Sequence, residues 1–110
     1  MAYIPDKGDL IWLNFSPQAG HEQKGKRPAF VISSKEYNKK THLALCCPIT
    51  SNKKDYPFEV VLNEQKIKGV ILTDHLKSLD WKVRRARFIE KAKPKTISEC
   101  IEKIIALVVE

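Results

Sequence analysis

The densest run of chemically capable side chains lies between Ala19 and Pro28, in the stretch Ala-Gly-His-Glu-Gln-Lys-Gly-Lys-Arg-Pro. His21, Glu22, Gln23, Lys24, Lys26 and Arg27 follow one another there, between two apolar runs. So many charges cannot enter an apolar core, because an unpaired buried ion carries a large desolvation cost. The segment must face water or a ligand, and its cationic excess favours phosphate. Arg27 is the strongest single candidate, since a guanidinium is always charged and its planar donors can grip two phosphate oxygens at once. Glu22 can accept a proton, or it can curl back across Gly25 to pair with Arg27. Such pairing would keep the carboxylate ionised and make it a weaker base. Further along, Thr50-Ser51 precedes Lys53 and Lys54. A hydroxyl at a strand end can hydrogen-bond a phosphate, and it can equally cap a turn. His21 and His75 invite an acid–base pairing because histidine titrates near neutral pH, although isolated histidines are more often surface or packing residues.

The elements that must position these groups read mainly as short strands. Leu10-Ile-Trp-Leu-Asn-Phe15 is a first strand, stopped by Ser16-Pro17, and Pro28 to Ser33 is a second, antiparallel to it. The charged stretch then sits at one end of that pair, like a flap. Ser34 to Thr41 is a polar connector with room for a helical turn, and His42 to Ile49 is a third strand, with Pro48 marking an edge or bulge. Phe58 to Leu62 is a fourth strand. Gly69 to Thr73 starts a fifth, which the pattern allows to run on through Asp80. Trp81 to Lys91 reads as a sixth strand with a basic rim of Lys82, Arg84, Arg85 and Arg87. After Pro94, Thr96 and Glu99 have capping-box spacing, and Ile97, Ile101, Ile104, Ile105 and Val108 recur at helical intervals. The expectation is a mainly β domain spanning residues 1–110, a small barrel or strongly curved sheet closed by one C-terminal α-helix.

Composition narrows the class of partner. Lysine and arginine number 20 against 13 acidic residues, a formal net charge of +7, which points to a polyanion. The three cysteines are odd in number and two are adjacent, Cys46 and Cys47, so they suit neither a disulfide framework nor a zinc site. No stretch reads as a signal peptide or a membrane span, and the cytoplasm is the expected compartment.

Five motifs in order, Gly8-Asp-Leu-Ile-Trp12, Gly20-His-Glu-Gln-Lys-Gly-Lys-Arg-Pro28, Cys47-Pro-Ile-Thr50, Tyr56-Pro-Phe-Glu-Val60 and Gly69-Val-Ile-Leu-Thr-Asp-His-Leu-Lys-Ser78, resemble those of the MazF/PemK-like toxins of bacterial toxin–antitoxin systems. The resemblance covers nearly the whole chain. It implies an SH3-like β-barrel with a C-terminal helix, the MazF/CcdB-like toxin fold. It further implies a homodimer and a metal-independent, sequence-selective endoribonuclease that cuts single-stranded mRNA without a cofactor. A cognate antitoxin would hold it inactive through a C-terminal segment. Catalytic roles carry over to Arg27 and Thr50, with Glu22 in the same neighbourhood. The family often has glutamine where this chain has His75.

RNA can be cut without a metal because its own 2′-hydroxyl can attack the adjacent phosphorus, leaving a 2′,3′-cyclic phosphate and a 5′-hydroxyl. The protein must help remove a proton, stabilise the phosphorane charge and protonate the leaving oxygen. Arg27 suits the second task. Thr50, a poor base, suits hydrogen bonding to the phosphate or the 2′-hydroxyl. His21, Gln23, Lys24, Lys26, Ser51, Lys53, Lys54, His75 and Lys77 are the candidate RNA-binding residues. Trp12, Phe15 and Tyr56 could stack on bases, with core or dimer contacts the commoner use of the first two. A rival from another class is a non-catalytic binder of the same fold that inhibits a protein such as a topoisomerase.

Overall fold

Leu10, Ile11 and Leu13 are fully buried, yet neighbours along a strand point to opposite faces, so their strand must be covered on both sides. The computed structural model, which describes residues 2–15 and 25–109, provides that cover. Its strands are β1 (Asp9–Asn14), β2 (Lys26–Val31), β3 (Leu43–Thr50), β4 (Glu59–Asn63), β5 (Lys68–Leu72), β6 (Lys77–Asp80) and β7 (Arg87–Lys91). The helices are α1 (Lys35–Thr41) and α2 (Pro94–Val109). Pairing is antiparallel in the order β4-β5-β3-β2-β1-β7, with β6 also on β3. One face of β1, β2 and β3 buries Leu10, Phe30, Cys47 and Ile49 against β4, β5 and α2. The other buries Ile11, Ala29, Val31 and Cys46 with Trp81. This is the mainly β, half-barrel fold with a C-terminal helix that the sequence suggests. Among the described residues no helix is long and apolar enough to cross a membrane.

Several local readings need correction. The connector after Ser33 is a true helix. Ser34 caps it by accepting the Tyr37 amide, and the buried Asn38 anchors it by donating to the carbonyls of Pro5 and Ser33. Its seven polar residues carry no amphipathic stripe because a single amide, not an apolar face, holds it down. His42 ends it in the left-handed region at φ 61°, edge-on to Trp81, and so does not begin the third strand. The basic stretch from Trp81 is a turn before it is a strand: Asp80 accepts the amides of Lys82 and Val83, Arg85 sits at φ 55°, and pairing with β1 covers only Arg87–Lys91. The C-terminal helix starts at Pro94, before the expected capping box. Its first turn is held by Glu64 from the β4–β5 turn, which accepts the Lys93 amide at 3.1 Å and the Thr96 hydroxyl at 3.4 Å. Proline suits a first helical turn, where an amide would have no intrahelical partner.

The fifth strand does not run unbroken to Asp80. β5 and β6 lie along the same side of β3, but their registers differ by three. Ile49 pairs with Ile71, for a sum of 120, and Leu43 pairs with Asp80, for a sum of 123. The 3₁₀ turn Thr73–His75 absorbs the difference, anchored by Thr73, whose amide and hydroxyl both donate to the Phe58 carbonyl. A strand continuing through these residues would have put His75 on one face with Thr73, Lys77 and Leu79; the turn breaks that alternation.

Candidate functional site

β3 and β2 separate at their prolines. Their last pair is Ala29 with Pro48, and beyond it Ile49 and Thr50 pair with β5 on the other side. Neither Pro28 nor Pro48 has an amide to extend the β2–β3 ladder. The parted ends leave an open groove of about 710 Å³ whose lining includes Trp12, Lys26, Arg27, Thr50, Ser51 and His75. The β2–β3 register carried two residues past its last pair sets Arg27 opposite Thr50, since 29 + 48 and 27 + 50 both equal 77. Arg27 and Thr50, distant in the chain, therefore line one cleft. The Arg27 side chain is exposed at the start of β2, and Thr50 is half-buried at the end of β3.

The Thr50 hydroxyl accepts the amide of Asn52 at 3.1 Å. That bond uses a lone pair and leaves the hydroxyl proton available as a donor, so turn-capping and ligand-binding roles are compatible. Behind Thr50, Gly69 stands at φ +146°, with its hydrogen where a Cβ would lie 2.5 Å from the Thr50 carbonyl oxygen. Only glycine allows the backbone to come so close. The loop after Thr50 is tied down by Glu59, whose carboxylate accepts the amides of Lys54 and Asp55 at 3.0–3.2 Å.

A smaller cleft of about 170 Å³ continues the groove from Thr50 and His75 to Lys54 and Tyr56. The Tyr56 hydroxyl donates to Asp74 at 2.6 Å, and His75 Nε2 lies 3.8 Å from the same carboxylate oxygen. The hydrogen bond to Asp74 pushes the Tyr56 phenol up to about 12, with a small push from burial and from the charges of Asp74 and Glu59. Tyr56 therefore stays a neutral donor, edge-on to Phe58 at 6.3 Å between ring centres.

The remaining candidates divide. Lys53 is exposed and ion-paired with Asp55 at 3.4 Å, on the far side of Tyr56. Lys77 lies on β6 across from Cys46 and does not line the groove. His21, Glu22, Gln23 and Lys24 lie outside the described residues. Trp12, offered above as a base-stacking residue, is 37% exposed and borders the groove rather than the core. Two further participants escaped sequence reading. Gly69 was readable only as a strand start, and Asp74 only as one more polar strand residue. Cys46, Cys47 and Cys100 are free and buried, and burial pushes each thiol up to about 12, assisted for Cys46 and Cys100 by the charge of Cys47 and for Cys47 by that of Asp74.

Residues 6–108 match the family described as "PemK-like, MazF-like toxin of type II toxin-antitoxin system". The "Endoribonuclease toxin MazF" of Escherichia coli K12 is 54% identical over 84 residues, covering 76% of each chain. The crystal structure of MazF from Deinococcus radiodurans superposes with a TM-score of 0.87 at 48% identity, covering 99% of this chain and all of that one. A MazE–MazF crystal structure from the same organism superposes with a TM-score of 0.88 at 42% identity over 97% of each chain.

Proposed function

Because the chain belongs to the PemK-like, MazF-like toxins of type II toxin–antitoxin systems and is a toxin endoribonuclease, we propose that the Arg27–Thr50 groove is where RNA is cut. The observation that carries this reading is the meeting of Arg27 and Thr50 in one open groove at the point where β3 leaves β2. The substrate is single-stranded RNA, whose phosphates answer the +7 charge and whose unstacked bases can reach Trp12 and Tyr56. The topoisomerase-inhibitor rival is not favoured, since the named relatives are endoribonucleases.

In this mechanism the ribose 2′-oxygen loses its proton and forms a bond to phosphorus, the bond from phosphorus to the 5′-oxygen breaks, and that oxygen takes up a proton. The products are a 2′,3′-cyclic phosphate and a 5′-hydroxyl. Arg27 holds two non-bridging oxygens and stabilises the charge that grows on them, the kind of contact that gains strength in the transition state. Thr50 donates its hydroxyl proton to the same phosphate. Glu22 joins them from the preceding segment, either as base or as the partner that orients Arg27. Lys26, Ser51 and His75 bind the flanking backbone, and no metal takes part.

The partner is an antitoxin, as in the MazE–MazF complexes, and its C-terminal segment holds the toxin inactive. The toxin works in the cytoplasm as a homodimer, a state supported by apolar side chains left exposed, among them Phe88 and Val83, and measurable by sedimentation. Arg27→Ala tests the site directly. Cleavage of a mixed-sequence RNA in EDTA should fall by at least 100-fold, the usual order for losing a transition-state donor, with the melting curve unchanged. Wild-type rates in that variant would sink the mechanism.

A further inference from the structure

A second cavity, of about 250 Å³, lies beside the groove and is lined by Asn14, Lys26, Arg84, Arg85 and Arg87. We propose that it is a second phosphate subsite, holding an RNA backbone phosphate at a fixed distance from the one that is cut. The proposal rests on the cleavage groove described above and extends it.

Among the described residues that line it, four of five are cations from three separate elements, and none is acidic. Lys26 comes from the start of β2, Arg84 and Arg85 from the turn after β6, and Arg87 from the start of β7. Strand register gathers them, since Lys26 is paired with Asn14, and Arg87 with Trp12 two residues earlier on β1. Cations assembled round so small a space repel one another, and an anion seated among them adds an attractive term with each, which offsets that repulsion.

The site is also held in place. Arg84 donates from Nη1 to the Asn14 carbonyl at 3.2 Å, its guanidinium lies 6.0 Å from the Phe15 ring centre, and its own carbonyl accepts the Asn14 amide at 2.9 Å. The nearby carboxylate of Asp80 accepts the amides of Lys82 and Val83 and so fixes the turn that carries the arginines. That turn places a non-glycine residue, Arg85, at φ 55°, a conformation that costs on the order of 1 kcal/mol for an L-residue. Guanidinium groups favour phosphate over a point-like anion because their planar donors match its oxygens in pairs. The link to RNA, rather than to an acidic peptide, is Lys26, which lines both cavities and is the immediate neighbour of Arg27. A strand whose scissile phosphate sits on Arg27 has its next contacts on the far side of Lys26.

The test uses the full-length toxin and a short RNA containing one mapped cut, in which each phosphate in turn is replaced by an uncharged methylphosphonate. Wild-type kcat/KM should drop about tenfold at one position away from the cut, the scale of a charged hydrogen bond. Arg87→Gln should lose the same factor on unmodified RNA and become insensitive at that one position. Its salt slope should shrink by about 0.7, the value for one phosphate on a single strand. Lys82→Gln removes one positive charge from the adjoining turn without lining the cavity, and should do neither. The proposal is overturned if Arg87→Gln matches wild type, if it stays sensitive at every position, or if Lys82→Gln behaves identically. It is also overturned if Arg87→Gln weakens only antitoxin binding, which would make the cavity a peptide site. Failure of the underlying reading shows separately, as wild-type toxin whose cleavage does not depend on Arg27.

Discussion

Gly69→Ala isolates the placement of Thr50 from its chemistry. The new Cβ would stand 2.5 Å from the Thr50 carbonyl oxygen and 3.2 Å from its carbonyl carbon, and both are backbone atoms that no rotamer change can move aside. Restoring a separation of 3.0–3.4 Å requires a shift of 0.5–0.9 Å, the differences from 2.5 Å. Thr50 is the last residue of β3 and pairs with Val70, so the displacement is taken up at the groove rather than in the core. A misplacement near 1 Å in a reacting constellation costs on the order of 100-fold in rate. The left-handed φ of +146° adds strain of roughly 1–3 kcal/mol in the folded state. Each kcal/mol lowers the melting temperature of a domain this size by about 4–8 °C. The assay is steady-state cleavage of a fluorogenic RNA with a parallel thermal melt. kcat should fall 10- to 100-fold, on the order expected for that shift, while the protein stays folded at the assay temperature. A lower melting temperature with kcat within about twofold of wild type would show that Thr50 need not be held where it is, and would refute the argument from placement.

Thr50→Val keeps the shape and removes the hydroxyl. Cleavage should fall by roughly 100- to 1000-fold, with a stability loss of no more than about 1 kcal/mol from the lost bond to the exposed Asn52 amide, read by urea titration. Glu64→Ala should destabilise by about 1–3 kcal/mol, because Glu64 is 5% exposed and serves both the Lys93 amide and the Thr96 hydroxyl; an unchanged urea midpoint would contradict that account of the α2 start. For pH, burial raises Cys46, Cys47 and Cys100 from an ordinary 9.0 to about 12, so the folded chain holds protons that the unfolded chain releases. Their stabilising contribution is complete below pH 9 and is lost as pH rises from 9 to 12. Urea midpoints should fall over that window, and a flat profile would count against it.

Much of the fold was legible because alternation is local. Leu10 to Leu13, Phe30 and Val31, and Val60 to Leu62 declare strands through side-chain type alone, and Ile97, Ile101 and Ile104 declare a helix. What escaped depended on partners remote in the chain. Helix α1 is anchored by Asn38 reaching Pro5, and α2 is started by Glu64, thirty residues before Pro94. The break at Thr73–His75 arises from a register difference along β3 that only the paired strands reveal.

The site divides in the same way. Residue types and order along the chain marked the charged stretch as facing water or a ligand, with phosphate the ligand its charge favours, and carried a family resemblance that runs nearly end to end and implies catalytic roles for Arg27 and Thr50. Side-chain chemistry is intrinsic, so a linear reading reaches it. Tertiary structure alone decided that Arg27 and Thr50 share a groove, because that depends on where β3 leaves β2 at Pro48. It alone brought Trp12 and His75 to the same opening, set Gly69 against the back of Thr50, and gathered Arg84 and Arg87 beside Lys26. Those juxtapositions come from strand register and a three-residue slip, properties of pairs of segments that no single segment encodes.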